Sequence, residues 1–193
     1  MIQPLRVIER LPPAPGRVRD RATWPPGEWD NEPDLIEWRD ADTGYPCLIV
    51  RGPVGSLCGY VGVPEGHPAH GKNYNEVDGR VPAHGGLTYS DTCVGHICHV
   101  PQPGESDTVW WLGFDCAHSG DVSPGMIRHY LESTRRMGLL EADAKILEEY
   151  HRRDEYRTVA YVQAECGALA AALSALADQG PLAATDDPGH VDE

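Results

Sequence analysis

The chain has 193 residues and a formal charge of −14. That length suits one domain with a substantial core, and the acidic balance excludes a general nucleic-acid binder, which needs a basic face for phosphates. With 21 Gly and 17 Pro, loops and short strands should outweigh long helices.

Residues 1–34 carry Pro12, Pro13, Pro15, Pro25, Pro26 and Pro33 among many charges. They read as an extended, partly mobile arm, with Trp24 and Trp29 pinning it to the body. The opening residues lack the continuous apolar stretch of a secretory leader, so a cytoplasmic protein with reduced thiols is expected. Six Cys in a chain this long lack the density of a disulfide scaffold.

A single domain is expected over 35–178. Glu37–Asp40 reads as a short strand or turn around Trp38. Cys47–Arg51 and Leu57–Val63 flank a Gly52–Gly55 turn and predict a hairpin. On its second strand Leu57, Val61 and Val63 share one face, and Cys58, Tyr60 and Gly62 the other. Residues 64–82 form a long polar loop with His67, His70, Lys72, Tyr74 and Arg80. A loop of that length is expected to be a lid or a binding loop.

The next stretch, AHGGLTYS, offers Gly85 and Gly86, whose amides can turn toward a ligand. Along a following strand, His84, Gly86 and Thr88 would share a face. Residues 92–100 (TCVGHICHV) read as a further strand, with Cys93, His96, Cys98 and His99 close together. Val109–Asp115 has strand character. If Trp110, Leu112 and Phe114 face the core, then Trp111, Gly113 and Asp115 line the opposite face. That face presents an aromatic, a gap and a carboxylate, with Cys116, His118, Ser119 and Asp121 just beyond.

Ser123–Pro124 signals a helix start, Ser as N-cap and Pro at the first helical position, and the helix should run to about Arg136. Residues 139–153 are helical in character. Glu155–Ala177 carries an apolar stripe of Val159, Val162, Cys166, Leu169, Leu173 and Leu176 at heptad spacing. The stripe should pack within the chain or, alternatively, form a homodimer through the 155–177 helix. Gly167 and Ser174 interrupt this apolar run, so no membrane span is expected. The acidic tail 179–193 is expected to be disordered. The fold class is α+β: a mostly antiparallel sheet over about residues 47–115, packed against C-terminal helices.

Three chemistries are compatible with these residues. In the first, a small polar and plausibly nucleotide-derived ligand is bound. Tyr60 or Trp111 would stack on it. Asp115, Thr88 and the Gly85–Gly86 amides would hydrogen-bond to it, and His70 or Lys72 would meet its negative charge. His67, Tyr74, His84, His118 and Asp121 complete the candidate binding set. In the second, a metal-dependent hydrolase uses His84, Asp115, His118 and Asp121, with zinc as the candidate ion and His84, Cys116, His118 and Asp121 as candidate ligands. Cys93, His96, Cys98 and His99 are a second possible source of ligands, although no zinc-ribbon spacing, CxxC or HExxH is present. In the third, the acidic surface inhibits a protein partner by mimicking nucleic acid. A nucleophile–base pair, Cys116 with His118 or Ser90 with His84, lacks any supporting elbow motif.

The stretches EPDLIEWRDADTGYPCLIVR, LCGYVGVPEGHPAHGK, HGGLTYSD and WWLGFDCAHSGD resemble a family of uncharacterised bacteriophage- and prophage-encoded proteins. The match spans about residues 32–173 apart from 137–153. It implies a small accessory protein of phage type, of the kind that counters host defence, sometimes by sequestering a nucleotide signal. It carries over no catalytic residue.

Overall fold

In the computed structural model, residues 3–12, 21–104, 106, 108–138, 145, 149 and 153–180 are described. Six strands form one antiparallel sheet: β1 (Pro4–Ile8), β2 (Leu35–Arg39), β3 (Pro46–Arg51), β4 (Leu57–Pro64), β5 (Tyr89–Asp91) and β6 (Val109–Asp115). Their spatial order is β1-β2-β3-β4-β6-β5. Among the described residues the α-helices include α1 (Tyr74–Val77), α2 (Pro124–Arg136) and α3 (Val159–Asp178). The α+β class therefore holds, and the sheet reaches further than 47–115. Pro4–Ile8 of the expected arm is an edge strand paired with β2.

The β3–β4 hairpin forms as its sequence predicts, with Cys47 opposite Val61 and Arg51 opposite Leu57. β6 then docks on β4, so Tyr60 faces Gly113 and Cys58 faces Asp115. Alternation gives the sheet two faces, and both are buried. On one, Leu57, Val61, Val63, Leu112 and Phe114 meet α3, whose Val162, Cys166, Leu169, Leu173 and Leu176 are all buried. The α3 stripe is thus used inside the chain, against β3 and β4. Its length and composition alone would also let α3 cross a bilayer. A homodimer through α3 would have to use its other face.

On the second face Leu35, Leu48, Val50, Tyr60, Val109 and Trp111 form another apolar cluster, joined by Leu11 and closed by Cys93 and Ile97. Residues 92–100 are not a strand. They make a tight turn in which Val94 and Ile97 exchange backbone hydrogen bonds, and this turn packs over the sheet. The reason is local: Gly95 takes φ +59°, a left-handed conformation that favours glycine and reverses the chain.

Buried polar groups fasten the periphery. Arg51 in β3 is 2% exposed, and it bonds Asp34, the Gly55 carbonyl and the Tyr156 hydroxyl at 2.8–2.9 Å. Arg21 contacts the same Asp34, while Trp29 is buried against Tyr156. The second half of the arm is therefore anchored to the body, as Trp29 suggested. Of the expected 139–153 helix only Lys145, Glu149 and Arg153 are described, all helical. The expected disordered tail beyond Gly180 lies outside the described residues.

The gap at Gly113 is filled from within. A Cβ there would stand 2.3 Å from the Tyr60 ring and 2.9 Å from the Gly59 carbonyl. Gly113→Ala should therefore lower stability by about 1–3 kcal/mol, the usual cost of overpacking. Chemical denaturation measures this, and an unchanged midpoint would mean the notch is open.

Candidate functional site

The structure breaks the ligand face expected from the sequence. Trp111 is fully buried and Tyr60 is 8% exposed; Tyr60 stacks edge-on against Tyr89. Neither can stack on a ligand, because the 92–100 turn and the first residues of the chain cover that face. His67 is buried too, bonding the Leu173 carbonyl at 2.9 Å, and burial pushes its pKa down, so it is no cation for an anionic ligand. His70 packs beside Trp110, and Lys72 pairs with Glu76. Tyr74 opens α1 and packs on the core edge. The 64–82 loop buries Ala69, Val77 and Val81, which makes it a cover on the core instead of a free lid. The Gly86 amide bonds Ala83, Asp78 takes the Leu87 amide, and Thr88 bonds the Gly113 carbonyl through its own. None of these three amides is left for a ligand.

Other predicted residues do converge. His84 opens the HGG turn, His118 and Asp121 follow β6, and all three meet at one end of the sheet. Their ligand atoms lie within 4.8 Å of one another. His84 Nε2 is 2.7 Å from Asp121 Oδ2, and His84 Nδ1 is 2.9 Å from the Tyr161 hydroxyl. The His118 amide donates to Asp121 Oδ2 at 3.1 Å. The His118 ring Nδ1 lies 3.7 Å from that oxygen and 4.0 Å from Asp115 Oδ1. It is buried with no hydrogen-bond partner. Asp115 meanwhile caps the turn by accepting the Ala117 amide.

Glycine makes the convergence possible. Gly85 has φ +67°, and a Cβ on it would fall 2.3 Å from the His118 ring. The missing side chain is the space His118 occupies, and the two imidazoles pack with centroids 5.5 Å apart.

Two residues of this cluster were missed in the sequence. Arg157 Nε bonds Asp121 Oδ1 at 2.8 Å, and its guanidinium lies 4.9 Å from the centroid of the Tyr161 ring. Arg157 and Tyr161 are four residues apart across the start of α3, whose N-cap is Thr158. The signal was that i,i+4 pair of polar residues spanning the start of a largely apolar helix, Arg157 just before the N-cap and Tyr161 in the first turn.

Asp121 is 4% exposed. Burial by itself would raise its pKa, but hydrogen bonds from His84, Arg157 and the His118 amide outweigh burial and hold it below the ordinary carboxylate value. Cys116 is different. Burial, with Asp121 nearby, pushes its thiol far up, so it is no ready thiolate nucleophile, and the Cys116–His118 nucleophile pair is disfavoured. The converging donor set is His84, His118 and Asp121, without Cys116. Cys93 and Cys98, expected as reduced thiols, are joined in a disulfide.

No protein-family model, curated protein or solved structure matches this chain.

A lowered folded-state pKa means that Asp121 stabilises the fold fully above the ordinary aspartate value of about 3.9. That contribution is lost as pH falls through the lower folded value. Thermal unfolding across about pH 2–6 should show wild type losing stability more steeply in acid than Asp121→Asn. Parallel curves would contradict the assigned hydrogen bonds.

Proposed function

We propose that this protein is a metal-dependent hydrolase of a small polar substrate, with one divalent transition ion held by His84 Nε2, His118 Nδ1 and Asp121 Oδ2. The observation that carries this reading is the buried, partnerless His118 Nδ1 facing the His84–Asp121 pair. Buried nitrogens without partners are rare and costly, and a metal ion would satisfy this one.

The distances are close to what an ion needs. Ligands about 2.1 Å from a tetrahedral zinc are roughly 3.4 Å apart. The His118–Asp121 separation of 3.7 Å fits almost as it stands. The His84–Asp121 contact of 2.7 Å would open by roughly 0.7 Å on that geometry. Two imidazoles and one carboxylate leave a position for water, the arrangement of a catalytic site and not of a closed structural one.

The neighbours have defined parts. His84 Nε2 faces Asp121 and Nδ1 faces the Tyr161 hydroxyl. An ion on Nε2 would require the ring proton on Nδ1, where the Tyr161 oxygen would accept it, since a phenol can donate or accept. Tyr161 would thus orient the ring, as partners of metal-bound histidines do. Arg157 occupies Oδ1, and Oδ2, which also accepts the His118 amide, would face the ion. The bound ion would supply an activated water at neutral pH. Asp115 Oδ1 lies 4.0 Å from His118 Nδ1, on the edge of the same cluster.

We further propose an accessory role of phage type, in keeping with the sequence motifs that resemble phage-encoded proteins, with a small nucleotide-derived molecule as the substrate class. One observation favours a second reading, binding without hydrolysis: Arg157 already neutralises Asp121 and weakens its pull on a cation. Metal analysis of tag-free protein reconstituted with zinc separates the two. The hydrolase reading expects about one equivalent and hydrolysis of a generic phosphodiester or ester. His118→Ala should then cut both metal affinity and turnover by at least about 100-fold. Less than about a tenth of an equivalent would overturn it. Gly85→Ala, whose new methyl collides with His118, should weaken metal binding without removing any ligand.

A further inference from the structure

We propose that Cys93, Cys98 and His99 form a second metal site, gated by redox state: closed as a disulfide, and open to a zinc-like ion once reduced. It shares no residue with the His84–His118–Asp121 cluster and does not depend on the hydrolase reading.

Three observations converge on it. First, the two sulfurs and a ring nitrogen of His99 lie within 4.8 Å of one another. The Cys-x4-Cys spacing is within the range found for zinc ligands, and it frames the tight Val94–Ile97 turn, which faces the two cysteines together.

Second, His99 is prepared as a ligand. It is 5% exposed. Its Nε2 lies 3.2 Å from the Ser106 carbonyl, a contact that requires the proton on Nε2. Nδ1 is then the lone-pair nitrogen, and it is buried with no partner. A metal-bound histidine has this pattern, one nitrogen donating to a carbonyl and the other left for the ion. A structural histidine would satisfy both.

Third, the loop is held in place by contacts other than the disulfide. Arg6 bonds the Cys98 carbonyl at 2.6 Å, and the fully buried Glu37 takes the Val100 amide at 2.8 Å. Arg6 and Glu37 also pair at 2.9 Å. Reduction therefore frees the thiols without releasing the loop that presents them. Both cysteines are half-buried, so a small dithiol can reach the bond.

The chemistry balances. A cellular dithiol gives two electrons and two protons to the Cys93–Cys98 bond and becomes a disulfide itself. The two thiols then lose their protons to solvent as the ion binds both sulfurs. Three protein ligands leave a fourth position for water.

Cobalt(II) titration of the full-length protein tests this, with the thiolate-to-cobalt charge-transfer band in the near ultraviolet as the readout. Protein reduced with a phosphine, then freed of reductant without oxygen, should give the band with about one equivalent. Oxidised protein should give none. Cys93→Ser should abolish the band, which separates these thiols from the buried Cys47, Cys116 and Cys166 and the half-buried Cys58. His99→Ala should weaken cobalt binding at least about tenfold while the disulfide still forms under oxidation. A reduced protein without the band would overturn the proposal. So would a band that survives Cys93→Ser, or an affinity indifferent to His99→Ala.

Discussion

The carboxylate of Asp121 is the constraint around which one end of this molecule is arranged. It is almost fully buried, and a buried charge left without partners would cost several kcal/mol. Its partners come from distant parts of the chain: His84 before β5, Arg157 before α3, and the His118 amide in its own turn. The backbone follows the same closure, because Asp121 forms a parallel bridge with Glu155 and Val122 donates to the Glu155 carbonyl. One side chain thus fixes where the HGG turn, the end of β6 and the start of α3 meet.

The sheet explains why the polar cluster lies at its end. Both faces of β4 and β6 are covered, one by α3 and the other by the 92–100 turn and the chain's first residues. Strands buried on both sides leave no face for a ligand. Polar groups gather where the strands stop and the chain must turn, at Cys116–Asp121. Gly85 completes the arrangement by leaving room for the His118 ring.

Much of this was legible in the sequence. The hairpin of β3 and β4, the alternation along β6 and the α3 stripe all follow from periodicity, and each has the orientation its pattern implies. The site was legible in part. His84, His118 and Asp121 were named as candidates, because imidazoles and carboxylates beside glycine turns suggest chemistry. Their meeting could not be read, since it depends on β4 pairing with β6 and on Arg157 closing the cluster. The error was to treat the Trp111–Gly113–Asp115 face as open. Alternation identifies two faces and does not say whether the second is covered. Here Tyr60 fills the Gly113 gap from across the sheet, which the sequence of β6 by itself cannot reveal. The first strand was missed for a similar reason: Pro4–Ile8 is short, flanked by charge and proline, and gains its structure from pairing with β2.

The central claim is that His84, His118 and Asp121 hold one ion. Crystals grown with zinc, measured on both sides of the zinc absorption edge, test it most directly. The account predicts an anomalous peak between His84 Nε2, His118 Nδ1 and Asp121 Oδ2, with the His84–Asp121 contact opened and Tyr161 still on Nδ1. No peak there, with His84 and Asp121 still hydrogen-bonded at 2.7 Å, would contradict it and leave a metal-free polar pocket.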